Sequence, residues 1–116
     1  MRKAPEHSWV REFPAEISIC DREGVLLEIN QAAEALFAKD GGRTLIGSNI
    51  LNCHPEPDRR KLKRLLETGQ SNVYISEFKG CKTLVFQSPW YLVGRYAGFV
   101  EVSFEVPDDI PHFIRE

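Results

Sequence analysis

The sequence predicts an α+β domain: one antiparallel sheet with its helices gathered on a single face. Three observations predict it. Segments with apolar residues at every second position open and close the chain, and that period belongs to half-buried strands. Between them lie two short stretches with apolar residues at helical spacing, each provided with capping residues. The resulting order, two strands, helices and three strands, lets the first and last strands pair into one sheet.

The first element is "EISICDREGVLLEI", Glu16 to Ile29. Ile17 and Ile19 alternate with polar neighbours, Val25, Leu27 and Ile29 alternate again, and "DREG" supplies the Asp and Gly that a tight connection needs, so a β-hairpin is expected. "NQAAEALFA" follows, with Asn30 placed to cap the free N–H groups of a first helical turn and Ala32, Ala33, Leu36 and Phe37 forming one apolar face. "KDGG" ends that helix. From Thr44, "TLIGSNILNCHPEP" has no clean period and is broken by Gly47 and two prolines, which predicts short turns. A second helix is expected from Pro57, suited to a first helical position, to Thr68, with Leu62, Leu65 and Leu66 as its buried stripe and Gly69 as its stop.

The last third reads as strand: "NVYISEF", "KTLVFQS" and "YAGFVEVSFEV", the last with Tyr96, Val100, Val102, Phe104 and Val106 on one side and Glu101, Ser103 and Glu105 on the other. Pro89 cannot donate to a ladder and is expected to mark a bulge or the end of the middle strand. In the tail, "PDDIPHFIRE", an Asp cap and the spacing of Ile110, Phe113 and Ile114 suggest a helical turn.

The 116 residues suffice for one domain and fall short of two, and 42% hydrophobic with 28% charged residues describes a chain that buries a core. We expect a single domain over 1–116, with a lead over 1–14, a core over about 15–106 and a tail over 107–116. A formal charge of -2 provides no overall positive field for a phosphate backbone or an anionic membrane, so neither nucleic acid nor a membrane is an expected partner. Cys20, Cys53 and Cys81 are odd in number, lie in no metal-ligand spacing and follow no apolar leader, which points to free thiols in a reducing cytoplasm. No nucleophile elbow, phosphate-cradling loop or paired-histidine motif is present, and no enzymatic activity is expected.

Asp21 and Gly24 in the first turn, Asn30, Ala33, Leu36 and Phe37 in "NQAAEALF", "LIGSN" at Leu45 to Asn49 and the long final strand "YAGFVEVSFE" together resemble a PAS domain, in particular the small bacterial PAS-like proteins. The resemblance covers roughly residues 15 to 106. It implies a five-stranded antiparallel sheet of order 2-1-5-4-3, a pocket between sheet and helices that holds a small molecule, and a homodimer that signals to an attached or separate effector.

Within that layout the candidate pocket residues are Phe37, Ile50, His54, Leu66, Tyr74, Phe86, Trp90 and Val102. Phe78 and Phe99, of opposite parity, are candidates for an interface. In "NCHPEPDRRKLKRLL", Cys53 and His54 are adjacent and lack a second ligand pair, so a structural metal site is not expected. Haem on His54 is the minor reading beside an imidazole that hydrogen-bonds its loop. Flavin-adduct chemistry is not carried over, because the thiol lies four residues after Asn49. A redox-sensing Cys53 is secondary to a partly buried, inert one. Arg59, Arg60, Lys61, Lys63 and Arg64 spread around an exposed helix circumference, which favours a solvated face over a nucleic-acid surface. No cofactor is assigned. The alternative to a small-molecule sensor is a ligand-free dimerisation module.

Overall fold

The structure, a computed structural model, describes residues 8–116. Residues 1–7 of the expected N-terminal lead lie outside the described residues. Helix α1 (Ser8–Arg11) precedes a hairpin of β1 (Glu16–Asp21) and β2 (Leu26–Ile29). Then come α2 (Gln31–Leu36), 3-10 turns at Ala38–Asp40, Gly42–Leu45 and Ile50–Cys53, and α3 (Asp58–Thr68). Three strands close the chain: β3 (Asn72–Phe78), β4 (Cys81–Leu92) and β5 (Arg95–Val106). The sheet is antiparallel throughout and its order is β2-β1-β5-β4-β3.

Local chemistry explains the boundaries. In the first turn, Asp21 Oδ1 accepts from Glu23 N and Val25 N, both at 2.9 Å, and closes the hairpin. Asn30 caps α2, with Oδ1 accepting from Ala33 N at 3.1 Å. Gly69 ends α3 in the left-handed region at φ 68. The segment between α2 and α3 is a series of short turns, as its lack of period implies. Helix α3 begins at Asp58 with Pro57 as its cap, one residue later than expected.

Of the two alternatives for "SPW" around Pro89, the structure shows the bulge and not the strand end, and the expectation for the tail fails. Strand β4 continues through Pro89 to Leu92, with its bulge between Trp90 and Tyr91. β3 accompanies β4 only as far as Gln87, so the edge of β4 away from β5 is unpartnered at Pro89 and a missing N–H is tolerated there. The tail after Val106 forms no helical turn, and Ile110, Phe113 and Ile114 are all exposed. Without an apolar surface to cover, so short a segment does not offset the entropy of helix nucleation.

The two faces of the sheet are unlike. Cys20, Phe99 and the α3 leucines Leu62, Leu65 and Leu66 form one buried cluster, and Leu26, Ile29 and Ala33 form another under Phe37, Leu45 and Ile50. Each fully buried Leu contributes about 1.5–3 kcal/mol. The face turned toward the helices therefore carries Cys20 of β1 and Phe99 of β5. By alternation it also carries Glu16, Ser18, Glu101 and Ser103, whereas Ile17, Ile19, Val100 and Val102 turn the other way.

Asn30, only 1% exposed, holds this arrangement. Its Oδ1 accepts from Ile17 N at 3.0 Å, its own N–H donates to Ile17 O at 3.0 Å, and Nδ2 donates to Ala15 O at 2.7 Å and Val10 O at 3.1 Å. Asn30→Ala keeps the main-chain bond to Ile17 O but leaves Ile17 N, Ala15 O and Val10 O without their side-chain partner, and is expected to destabilise the fold by about 2–4 kcal/mol in urea titration. A loss below 0.5 kcal/mol, roughly the level of a neutral surface change, would contradict the role given to Asn30.

Candidate functional site

Between the sheet and its covering segments lies a cleft of about 1010 Å³. Its roof is mixed: Phe37, Leu45, Ile50, Leu62 and Leu65 supply apolar surface, and Asp40, Ser48, His54, Asp58 and Lys61 supply polar and charged groups. Its floor is the helix-facing side of four strands and is largely polar, with Glu16 and Ser18 from β1, Glu101 and Ser103 from β5, Thr83 and Gln87 from β4, and Asn72, Tyr74 and Ser76 from β3. Such a floor is unusual under a helix layer, because polar groups there lose water and must find partners.

They find them across the strands. Asn72 Nδ2 donates to Gln87 Oε1 at 2.9 Å, and Gln87 Nε2 donates to Glu101 Oε1 at 2.8 Å, so one chain of bonds crosses β3, β4 and β5. On the next pair of strands Ser103, 4% exposed, donates its hydroxyl to Glu16 Oε2. The register that pairs Glu16 with Ser103 and Ser18 with Glu101 makes the two carboxylates diagonal neighbours on one face.

Helix α3 is fixed over one end of the floor. The Tyr96 hydroxyl donates to Leu66 O at 2.6 Å, a carbonyl in the last turn of α3 that has no intrahelical partner. Tyr96 also stands edge-on to Phe99, with centroids 6.2 Å apart. Burial raises the Tyr96 hydroxyl above its ordinary range, with Cys20 adding to the rise and Arg22 opposing it. Burial likewise raises Tyr74, and the nearby Glu101 and Asp58 carboxylates push it further the same way.

The structure brings together four of the eight expected pocket residues: Phe37, Ile50, His54 and Tyr74 all line the cleft. His54 Nδ1 lies 2.7 Å from the Ile50 carbonyl, which can only accept, so Nδ1 carries a proton and the ring is anchored to its loop. The other four are placed elsewhere. Leu66 is buried in the α3 cluster away from the lining. Val102 and Phe86 pair across β5 and β4 on the face opposite Glu101 and Gln87, and so lie outside the cleft. Trp90 is also outside it: its indole Nε1 donates to Cys20 O at 3.0 Å. That reach passes Gly98, the direct partner of Trp90, where an added Cβ would overlap the Cys20 carbonyl oxygen.

Of the two expected interface residues, Phe99 needs correction and Phe78 lies on the other face than expected. Phe99 is 4% exposed, lies in the α3 cluster and lines the cleft, so it is not available to a partner. Phe78 is 72% exposed but shares the parity of Tyr74 and Ser76, at the hairpin end, with Lys79 Nζ 5.3 Å from its ring centroid. The outer face is instead marked by Val73, Ile75, Phe86 and Phe104, all exposed. Cys53, expected to be partly buried, is exposed beside the cleft. Among the described residues no three His, Cys, Asp or Glu side chains lie close enough to hold a metal ion. No helix among them is long and apolar enough to cross a membrane. In the basic run, Arg59 donates to His54 O at 3.0 Å, Arg60 lies 3.7 Å from Glu56 and Lys61 sits 5.9 Å from the Tyr74 ring centroid.

No family model matches the chain, and no curated protein matches it. Solved structures do. The chain is similar to VqmA of Vibrio cholerae, at 19% identity and a TM-score of 0.63, over 94% of this chain and 55% of that one. It is similar to a sensory box sensor histidine kinase of Vibrio cholerae, at 20% identity and a TM-score of 0.61, over 83% and 85% of the two chains. It is also similar to the PAS domain of Bordetella pertussis BvgS, at 17% identity and a TM-score of 0.63, over 85% and 82%. The fold is PAS-like: α+β, with the five strands in the order 2-1-5-4-3. The chain spans about half the length of the VqmA chain it matches.

The placement of the thiols gives a test of the inward set of β1. Burial raises the Cys20 thiol above its ordinary 9.0, with Asp21 and Glu101 adding to the rise, whereas Cys53 and Cys81 are exposed. Iodoacetamide at neutral pH is expected to label Cys53 and Cys81 in the folded protein and Cys20 only after unfolding, as read by peptide mass spectrometry. Because the folded state holds the Cys20 proton more tightly than the unfolded chain does, this thiol's contribution is intact below the free-thiol range and declines as pH rises through it. Rapid labelling of Cys20 in the folded chain would contradict the inward orientation of that side chain.

Proposed function

We propose that this is a PAS-like sensory domain that binds a small molecule in the cleft and passes the event on through helix α3 and the segments joined to it. The observation that carries the reading is the polar floor. A sheet and helices that only pack against each other bury apolar side chains on both sides, yet here a bonded set of Ser, Asn, Gln and Glu faces the covering segments across open space. The similarity to VqmA supports the reading, since that protein has been solved bound to DPO.

The relay follows from how α3 is held. Its leucines rest on Phe99 and Cys20, and its last turn is tied to β5 through the Tyr96 hydroxyl. A ligand that favours one position of α3 over the sheet shifts the population toward that position, and β5 carries the change to the C-terminal segment. A second reading, a ligand-free homodimerising module, draws on the outer face, where Val73, Ile75, Phe86 and Phe104 leave an apolar strip uncovered.

Native mass spectrometry of protein purified from its natural source, beside Ser18→Trp, separates the two. The sensory reading expects a small molecule bound to the wild type and lost from Ser18→Trp, with the circular dichroism spectrum unchanged. Two bare chains of unaltered dimer content would overturn it in favour of the module.

A further inference from the structure

The class of ligand can be read from the direction of the hydrogen bonds in the cleft floor. An ionised carboxylate only accepts, so the group that bonds Glu101 must be the amide nitrogen of Gln87. That choice turns Gln87 Oε1 toward Asn72, which must then offer its own nitrogen. Each amide thus commits one of its two N–H groups within the floor, and Asn72 Oδ1 is left as an acceptor. The same logic holds for Ser103, whose single proton goes to Glu16, leaving only lone pairs on its oxygen.

The negative charge in the floor comes from Glu16 on β1 and Glu101 on β5, both of which line the cleft. Among the described residues, Glu16 Oε1 and Glu101 Oε2 have no hydrogen-bond partner, and neither carboxylate has an ion-pair partner. The lining holds four carboxylates, from Glu16, Asp40, Asp58 and Glu101. Its one lysine or arginine, Lys61, stands over the Tyr74 ring on the α3 side. Tyr74 supplies a hydroxyl that either donates or accepts; burial raises its proton affinity first, and Glu101 and Asp58 add to the rise.

Beside Asp40, His54, Asp58 and Lys61, the opposite wall offers apolar surface. Phe37, Ile50 and Leu62 come down from the covering segments, and Phe99 stands at the end of the floor. A molecule filling this space meets apolar surface on one side and hydrogen-bond acceptors with negative charge on the other. An anionic ligand would face like charge, and a neutral acceptor would leave the glutamate oxygens unpaired on loss of water.

We infer that the cleft takes a ligand with an apolar or aryl body and a cationic, hydrogen-bond-donating head, of the amine or amidine class. The head sits between Glu16 and Glu101, and the body lies against Phe37, Ile50, Leu62 and Phe99. This inference rests on the sensory reading of the cleft, and it adds the sign and polarity of what is sensed.

Three probes of nearly equal size test it by isothermal titration: phenethylamine, phenethyl alcohol and 3-phenylpropanoate. The amine is expected to bind at least about tenfold more tightly than the alcohol, and the carboxylate not measurably, because charge-assisted hydrogen bonds are the strong ones. Glu101→Gln and Glu16→Gln each keep the side-chain shape and are expected to weaken the amine at least about tenfold. The alcohol should change by less than about threefold, given the spread of neutral hydrogen-bond contributions. Chemical shifts of Tyr74 and Phe99 should move with the amine, which locates it in the cleft, and the unchanged spectra of the glutamine variants elsewhere report an intact fold.

Carboxylate binding equal to that of the amine would overturn the inference, as would amine affinity indifferent to both glutamine changes. So would failure of all three probes to shift Tyr74 or Phe99. The sensory reading stands or falls separately: a neutral or anionic molecule found by native mass spectrometry and lost from Ser18→Trp would sink the cationic ligand and uphold the sensor.

Discussion

The architecture depends on one buried residue binding both backbone groups of another. Asn30 accepts from Ile17 N through Oδ1 and donates to Ile17 O through its own main chain, while the same Oδ1 starts α2 by accepting from Ala33 N. The first strand, the end of the second and helix α2 are thereby fixed to each other at one buried point. A slip of one residue in β1 would exchange its faces, and this clamp prevents it. Once Ile17 and Ile19 point outward and Glu16, Ser18 and Cys20 point toward the helices, pairing with β5 sets the facing of Phe99, Glu101 and Ser103, and β4 and β3 follow by register.

From that constraint comes a sheet with inverted polarity. At the end under α3, Cys20 and Phe99 meet the leucine stripe and form an ordinary apolar core. Beyond it the same face turns polar, while the face away from the helices carries Val102, Phe86, Ile75 and Phe104. Half of the helix-facing side therefore supplies cohesion and half supplies chemistry. The polar half keeps its groups bonded to each other, and no buried side-chain nitrogen or oxygen among the described residues is left without a partner. The floor is thus held together by its own hydrogen bonds.

Most of the fold was legible in the sequence, and the facing of its strands was not. The hairpin, the Asn30 cap, the turns between Thr44 and Cys53, helix α3 and its Gly69 stop all follow from local chemistry that a sequence displays. Strand order followed from the resemblance and from the order of elements. Alternation in "YAGFVEVSFEV" separates two faces but does not say which one meets the helices, and assigning the apolar face inward placed Val102, Phe86 and Trp90 in the pocket. The structure turns them out because helix cover is not the only reason for a strand to carry apolar residues. The available signal was Cys20 and Glu16 in β1: whichever face Cys20 joins is polar at the other end. Phe99 was misread for the same reason, and the polar floor residues Gln87, Glu101 and Ser103 were missed because their spacing only has meaning across strands.

The central claim is that the polar side of β5 and β4 faces α3. Nuclear Overhauser contacts between methyl and aromatic protons of the labelled protein measure this directly. The account predicts contacts from Phe99 to the Leu62 and Leu65 methyls, and none from Val102 or Phe86 to any residue of α3. Contacts of Val102 and Phe86 with those leucines, with Phe99 seeing none, would contradict it.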